Sequence, residues 1–171
     1  MNKILLIITG SIAASRCKEI IALLNINKVK ISCILTKEAK KYVKISDIKK
    51  LLKNRIFTDE DEKKNKMLHI NLSRDNDIIV MCPATANSIA KFANGYGDNL
   101  ASNTLLASNK KILFVPAMNS FMWHNKINQK NVRLLKDIGH EFIGPKVGNL
   151  KCGEFGLGRI DNSKNIVNRI L

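Results

Sequence analysis

Apolar residues fall into short unbroken runs, each followed by a stretch in which they recur at helical spacing. Lys3 to Thr9 is such a run. Gly10-Ser11 then turns the chain, and Ile12 to Leu24 carries apolar residues on one helical face, so the opening predicts a strand, a tight turn and a helix. Val29 to Thr36 is a second, β-branched run, followed by a polar, helix-compatible stretch containing Ala39, Tyr42 and Val43. Asp77 to Cys82 predicts another buried strand ending at Pro83, and the Ala-rich stretch from Ala84 to Ala93 suits a helix packed closely on a sheet. Lys111 to Val115 gives a further strand, ending at Pro116. Lys49 to Lys66 differs: Asp59-Glu60-Asp61-Glu62 runs into Lys63-Lys64 without clear periodicity, and the segment reads as an exposed, mobile connection.

Strands alternating with helices predict an α/β fold, a doubly wound parallel sheet in three layers of Rossmann-like or flavodoxin-like type, forming a single domain over residues 1–171. The length and the 45% hydrophobic content suit one substantial core. In such sheets ligands bind beyond the carboxyl ends of the strands. Those ends carry Thr9-Gly10-Ser11, Thr36, Pro83-Ala84-Thr85-Ala86-Asn87 and Pro116-Ala117-Met118-Asn119, a collection of small and hydroxyl-bearing residues.

Charge and cysteine usage narrow the function classes. The apolar runs fall well short of the about 20 residues a membrane-spanning helix needs, and no membrane association is expected. The first run is also too short for a signal peptide, and Arg16 stands before Cys17, so a buried strand is the better reading. The formal charge of +15 raises nucleic acid as a partner. The Lys pairs Lys40-Lys41, Lys49-Lys50, Lys63-Lys64 and Lys110-Lys111 are scattered, however, and aromatics make up only 5% of the chain. A solvated basic surface is favoured, with no nucleic-acid partner. The four cysteines, Cys17, Cys33, Cys82 and Cys152, form no Cys-x-x-Cys pair, which predicts a reduced cytoplasmic protein without structural zinc or any other metal.

A phosphate is commonly held by the free N–H groups of a helix start, helped by hydroxyls. Gly10-Ser11 and Thr36 meet that need. The glycine spacing of a dinucleotide fingerprint and the Gly-Lys-Ser/Thr of a triphosphate loop are both missing, which favours a mononucleotide. Taken alone, Gly10-Ser11 reads equally well as a strand-to-helix turn with a serine N-cap.

Four stretches carry a resemblance: Gly10-Ser11-Ile12-Ala13-Ala14, Pro83 to Asn87, Pro116-Ala117-Met118-Asn119-Ser120-Phe121-Met122-Trp123, and Gly148 to Arg159 with its Cys152-Gly153-Glu154-Phe155-Gly156-Leu157-Gly158-Arg159 segment. Together they resemble the homo-oligomeric flavin-containing cysteine decarboxylases, over nearly the whole chain. Asn87 to Gly95 with Asp98-Asn99-Leu100 is most similar to the phosphopantothenoylcysteine decarboxylase branch of coenzyme A synthesis. Flavin prenyltransferases share the fold but are not expected to show the Cys-Gly segment. Ser15 departs from the pattern at a position where an aromatic residue is common.

The resemblance implies FMN as cofactor, contacted by Gly10, Ser11, Ile12, Thr36, Pro83, Ala84, Thr85, Asn87 and Met118. It implies substrate contacts at Asn119, Met122, Gly153 and Arg159. Losing CO2 from an unactivated carboxylate requires an electron sink. By resemblance, the flavin oxidises the cysteine moiety of 4'-phosphopantothenoylcysteine, CO2 leaves to give an enethiol, and the reduced flavin returns the electrons to yield 4'-phosphopantetheine. His69 matches the position of the acid/base, and an imidazole that ordinarily titrates at about 6.5 suits that work. Asn119 can orient a carboxylate without neutralising it. Cys152, in a Gly-rich segment that reads as a lid, is the implied proton donor of the second half-reaction. His124 and His140 read as surface or structural residues, and Cys17, Cys33 and Cys82 as buried structural thiols.

The family further implies a homotrimer or a multiple of trimers. The chain ends at Leu171 with no room for a second domain, so a separate phosphopantothenoylcysteine synthetase is expected in the pathway. Two alternatives stay open: a decarboxylase of peptides ending in cysteine, and a non-catalytic regulatory relative, the latter disfavoured by the intact His69, Asn119 and Cys152.

Overall fold

A computed structural model of the chain describes residues 3–52 and 56–171. In chain order the elements are β1 (Lys3–Ile8), a 3-10 turn (Ile12–Arg16), α1 (Cys17–Ile26), β2 (Lys30–Leu35), a second 3-10 turn (Glu38–Lys41), α2 (Ile45–Leu51), β3 (Ile56–Phe57), α3 (Asp59–Lys64) and α4 (Leu68–Asp75). β4 (Ile78–Ala84), α5 (Ala86–Ala93), α6 (Leu100–Leu106), β5 (Ile112–Pro116), α7 (Ser120–His124), α8 (Lys126–Asp137), β6 (Glu141–Phe142), β7 (Lys146–Asn149), β8 (Phe155–Arg159) and α9 (Ser163–Ile170) follow.

Six strands form one parallel sheet in the order β3-β2-β1-β4-β5-β6. Helices cover both faces, which is why the strands read as unbroken apolar runs rather than alternating ones. In β1, Ile4, Leu6 and Ile8 pack into one core with Ile20 and Leu24 of α1 and Ile166 and Ile170 of α9. Leu5 and Ile7 face the other core, with Leu72 of α4, Leu105 of α6 and Leu135 of α8. Each fully buried aliphatic side chain of this kind contributes about 1.5–3 kcal/mol. Among the described residues no helix is long and apolar enough to cross a membrane.

The expected strands form within a residue or two of their predicted bounds. The helix after β1 begins as a 3-10 turn and becomes regular only from Cys17. The Lys49–Lys66 segment is a correction. It holds the end of α2, the edge strand β3 paired with β2, and α3; residues 53–55 of it lie outside the described residues. α3 buries none of its residues, so no hydrophobic period marks it. A capping box of Thr58 and Asp61 and four acidic residues in its first turn, suited to the helix dipole, define it instead. The Gly-rich segment expected as a lid is a two-stranded antiparallel hairpin, β7 with β8, standing apart from the main sheet.

Candidate active site

Strand order reverses between β1 and β4, the point where two crossovers leave in opposite directions and open a crevice. The buried Thr9 hydroxyl donates to the Pro83 carbonyl at 2.6 Å and ties these two strand ends together. Beyond them lies a cleft of about 1140 Å³, lined by the ends of β1, β2, β4 and β5 and by the β7–β8 hairpin. Gly10 is needed at its base: a Cβ there would meet the Glu38 Cβ at 2.4 Å, so only glycine lets the turns after β1 and β2 lie against each other.

One end of the cleft is polar and basic. Ser11, Ser15, Arg16, Thr36, Lys37 and Asn87 line it. The Ser11 hydroxyl caps the 3-10 turn by accepting from Ala13 N at 3.2 Å, and the Thr36 hydroxyl donates to the Ile8 carbonyl at 3.2 Å. Thr85 caps α5, accepting from Ser88 N at 3.2 Å, so a helix start faces the same space. The walls alongside are apolar, with Ile12, Ala13, Met81, Phe92, Ala117 and Met118. A hydroxyl-rich, cationic end joined to an apolar slot fits a phosphorylated flavin mononucleotide in donor chemistry and in size.

The opposite wall brings together residues far apart in sequence. Asn119 caps α7, its Oδ1 accepting from Met122 N at 3.1 Å. Its Nδ2 donates to Glu154 Oε2 at 2.7 Å and reaches Cys152 Sγ at 3.9 Å. Asn119 is therefore both the turn residue and a group aimed at the thiol. Cys152 is exposed at the tip of the hairpin, where Gly153 N donates to the Leu150 carbonyl at 3.0 Å. The hairpin is anchored by Met118 N donating to the Gly158 carbonyl at 3.0 Å; a Cβ on Gly158 would fall 2.2 Å from the Met118 carbonyl oxygen.

Gly10, Ser11, Ile12, Thr36, Thr85, Asn87, Met118, Asn119, Met122, Cys152 and Arg159 thus line one cleft. Pro83, Ala84 and Gly153 do not: the first two are buried, and Gly153 is exposed in the hairpin turn. His69 is also elsewhere. It sits on α4, half-buried, with Nδ1 3.0 Å from Glu62 Oε1 of α3 but without the alignment of a hydrogen bond. It does not line the cleft that holds Asn119 and Cys152 in the same chain.

The remaining candidates behave as structural groups. Cys17, Cys33 and Cys82 are buried. Burial pushes the Cys33 thiol up to about 12, and contact with Cys82 followed by burial raises Cys17 well above its ordinary value, so neither is a ready nucleophile. His124 is exposed and its Nδ1 contacts the Ser120 carbonyl at 2.8 Å, whereas His140 Nδ1 accepts from Ile112 N at 3.3 Å. Among the described residues no group of His, Cys, Asp or Glu is placed to hold a metal ion.

Sequence reasoning missed Lys37, Lys91, Asp98, Lys151 and Glu154. Lys91 Nζ lies 2.5 Å from Asp98 Oδ2 across the cleft wall, and the Lys91 ammonium holds the Asp98 carboxyl below its usual range. Glu154 stands two residues after Cys152, and that proximity was its available signal.

The Flavoprotein family model matches residues 1–171. A probable phosphopantothenoylcysteine decarboxylase of Streptococcus mutans is 32% identical over 99% of this chain and 97% of its own length. A coenzyme A biosynthesis bifunctional protein of Bacillus subtilis is 32% identical over 97% of the chain, which spans only 41% of that longer protein. Among solved structures, a mutant PPC decarboxylase complexed with pantothenoylaminoethenethiol superimposes with a TM-score of 0.89 at 28% identity, covering 99% of this chain and 96% of that one. The FMN-binding protein AtHal3 superimposes with a TM-score of 0.88 at 28% identity, over 99% and 94%.

Proposed function

The chain belongs to the Flavoprotein family, and on that premise we propose that it decarboxylates 4'-phosphopantothenoylcysteine to 4'-phosphopantetheine in coenzyme A biosynthesis with FMN as its cofactor. The observation that carries the reading is the meeting of Asn119 and Cys152, from α7 and the hairpin tip, at 3.9 Å on the wall of the switch-point cleft. The full-length match to a probable phosphopantothenoylcysteine decarboxylase supports the substrate, and the likeness to an FMN-binding protein supports the cofactor.

Bound FMN supplies a reversible two-electron sink, without which the carbanion left by CO2 has no acceptor. Ser11, Thr36 and the helix start capped by Thr85 would hold its phosphate, with Arg16 and Lys37 supplying positive charge, and the apolar walls would exclude water from the site. Asn119 presents a neutral amide to the substrate carboxylate, which orients the group yet leaves it free to depart. Cys152 holds the proton required when the enethiol is reduced, and Arg159 offers paired donors to an anionic part of the substrate. His69 moves the proton of the first half-reaction.

Because His69 does not line this chain's own cleft, its role requires it to be presented by a neighbouring copy. A homotrimer with the flavin near the subunit contact supplies that arrangement. The reading also assigns the enzyme to the cytoplasm, with a separate synthetase providing its substrate.

The test is to purify the protein, record its visible spectrum and measure CO2 release from 4'-phosphopantothenoylcysteine without added oxidant. Flavin absorbance with turnover is expected. Flavin without turnover would redirect the reading to a peptide substrate or a regulatory role, and a colourless protein would remove it.

A further inference from the structure

The Asn119 amide is held at both ends. Its Oδ1 is committed to the Met122 N–H that starts α7, which fixes the amide orientation and turns its nitrogen toward the hairpin that carries Cys152 and Glu154. That nitrogen already has an anionic partner, the Glu154 carboxylate at 2.7 Å, and it lies 3.9 Å from Cys152 Sγ. Glu154 is half-buried, and its carbonyl accepts from Leu150 N at 2.8 Å, so the side chain is carried by the turn that carries Cys152. A side-chain carboxylate therefore sits on the group to which the substrate carboxylate is assigned. Two carboxylates on one neutral amide repel, and a single donor pair cannot serve both while also facing the thiol.

We propose that Glu154 is an intramolecular competitor at the carboxylate-binding group: its carboxylate occupies Asn119 until the carboxylate of the substrate displaces it. The inference rests on the assignment of Asn119 made above. It gives the hairpin a chemical trigger, because the displaced Glu154 and the neighbouring Cys152 move together. It also places a cost on binding the one group the reaction removes, a cost the decarboxylated product does not meet. Once CO2 has gone, nothing on the ligand competes for Asn119, and Glu154 returns to it.

Two probes without a thiol isolate the effect: 4'-phosphopantothenoylserine, which keeps the carboxylate, and its decarboxylated counterpart, 4'-phosphopantothenoylethanolamine. Dissociation constants are measured by calorimetry on the flavin-loaded wild type and on Glu154→Gln, Glu154→Ala and Asn119→Ala. Gln keeps the size and an acceptor oxygen but removes the charge; Ala removes the competitor altogether. Both Glu154 variants are expected to tighten the serine probe by about fivefold or more and to leave the decarboxylated probe within about twofold. Weaker binding of the serine probe, or an equal change for both probes, overturns the proposal. Asn119→Ala separately checks the premise, since it should abolish any preference for the carboxylate probe. If that preference survives, Asn119 is not the carboxylate holder and the site assignment fails with it. If the preference is lost but the Glu154 variants behave as wild type, only the role of Glu154 fails.

Discussion

Glu62 Oε1 of α3 lies 3.0 Å from Nδ1 of His69 on α4, and the two oxygens of the same carboxylate accept from Asn103 Nδ2 of α6 at 3.2 and 3.4 Å. One acidic side chain thus links three helices and faces one nitrogen of the imidazole, leaving Nε2 for proton transfer. If His69 is the acid/base, Glu62 is its positioning residue. Glu62→Gln should lower kcat by about tenfold, a part of what a positioned acid/base supplies, with KM within about twofold. Steady-state kinetics check this; an unchanged kcat removes Glu62 from the role.

The separation of His69 from the cleft predicts complementation between subunits. His69→Asn and Cys152→Ser should each be inactive as pure proteins while retaining flavin. Co-expressed with different tags and purified through both, they should recover a measurable fraction of wild-type turnover. In mixed assemblies some sites would take His69 from one copy and Cys152 from another. A mixture as inactive as its parents would mean that both groups serve from the same chain.

The hairpin anchor predicts a local fault. In Gly158→Ala the new Cβ would lie 2.2 Å from a backbone oxygen of Met118, which no side-chain rotation can relieve. The hairpin must shift, with a loss of stability of about 1–3 kcal/mol. Cys152 moves with it, so urea unfolding should show a lower midpoint and turnover should fall more than flavin retention does. A variant with wild-type stability and turnover would show that the hairpin is free to move without cost.

The difference between what could and could not be read in the sequence follows from burial. β1 and β4 are buried on both faces, so their apolar runs announce them. α3 buries nothing and escaped, although its acidic first turn and Thr58 cap were visible. The hairpin escaped because its glycines, among them Gly148, Gly156 and Gly158, are selected for close contact with other residues rather than for strand character. Eleven of the residues named for the site line the cleft, and those at strand ends could be named because sequence order alone locates them. Lys91 with Asp98 and Asn119 with Glu154 are long-range pairs, and no local spacing encodes them. His69 was legible as a residue type in a motif, but its position on α4 away from the cleft required coordinates.

His140 sets a pH dependence on the fold rather than on the chemistry. Its ring lies 5.2 Å from the Phe92 ring and 6.1 Å from that of Phe114, and its Nδ1 accepts from the Ile112 N–H that begins β5. An accepting Nδ1 carries no proton, and burial lowers the imidazole below its ordinary value. The unfolded chain therefore takes up this proton at a higher pH than the native chain does. Stability from this group is fully present above the unfolded value of about 6.5, and it is lost as pH falls toward and through the lower folded value. His140→Gln keeps an acceptor for Ile112 N–H but does not titrate. The variant should have a lower urea midpoint than wild type at pH 7.5, because the aromatic contact is lost, and the difference should narrow at pH 5. A difference that stays constant between the two pH values would show that protonation of His140 does not weaken the fold.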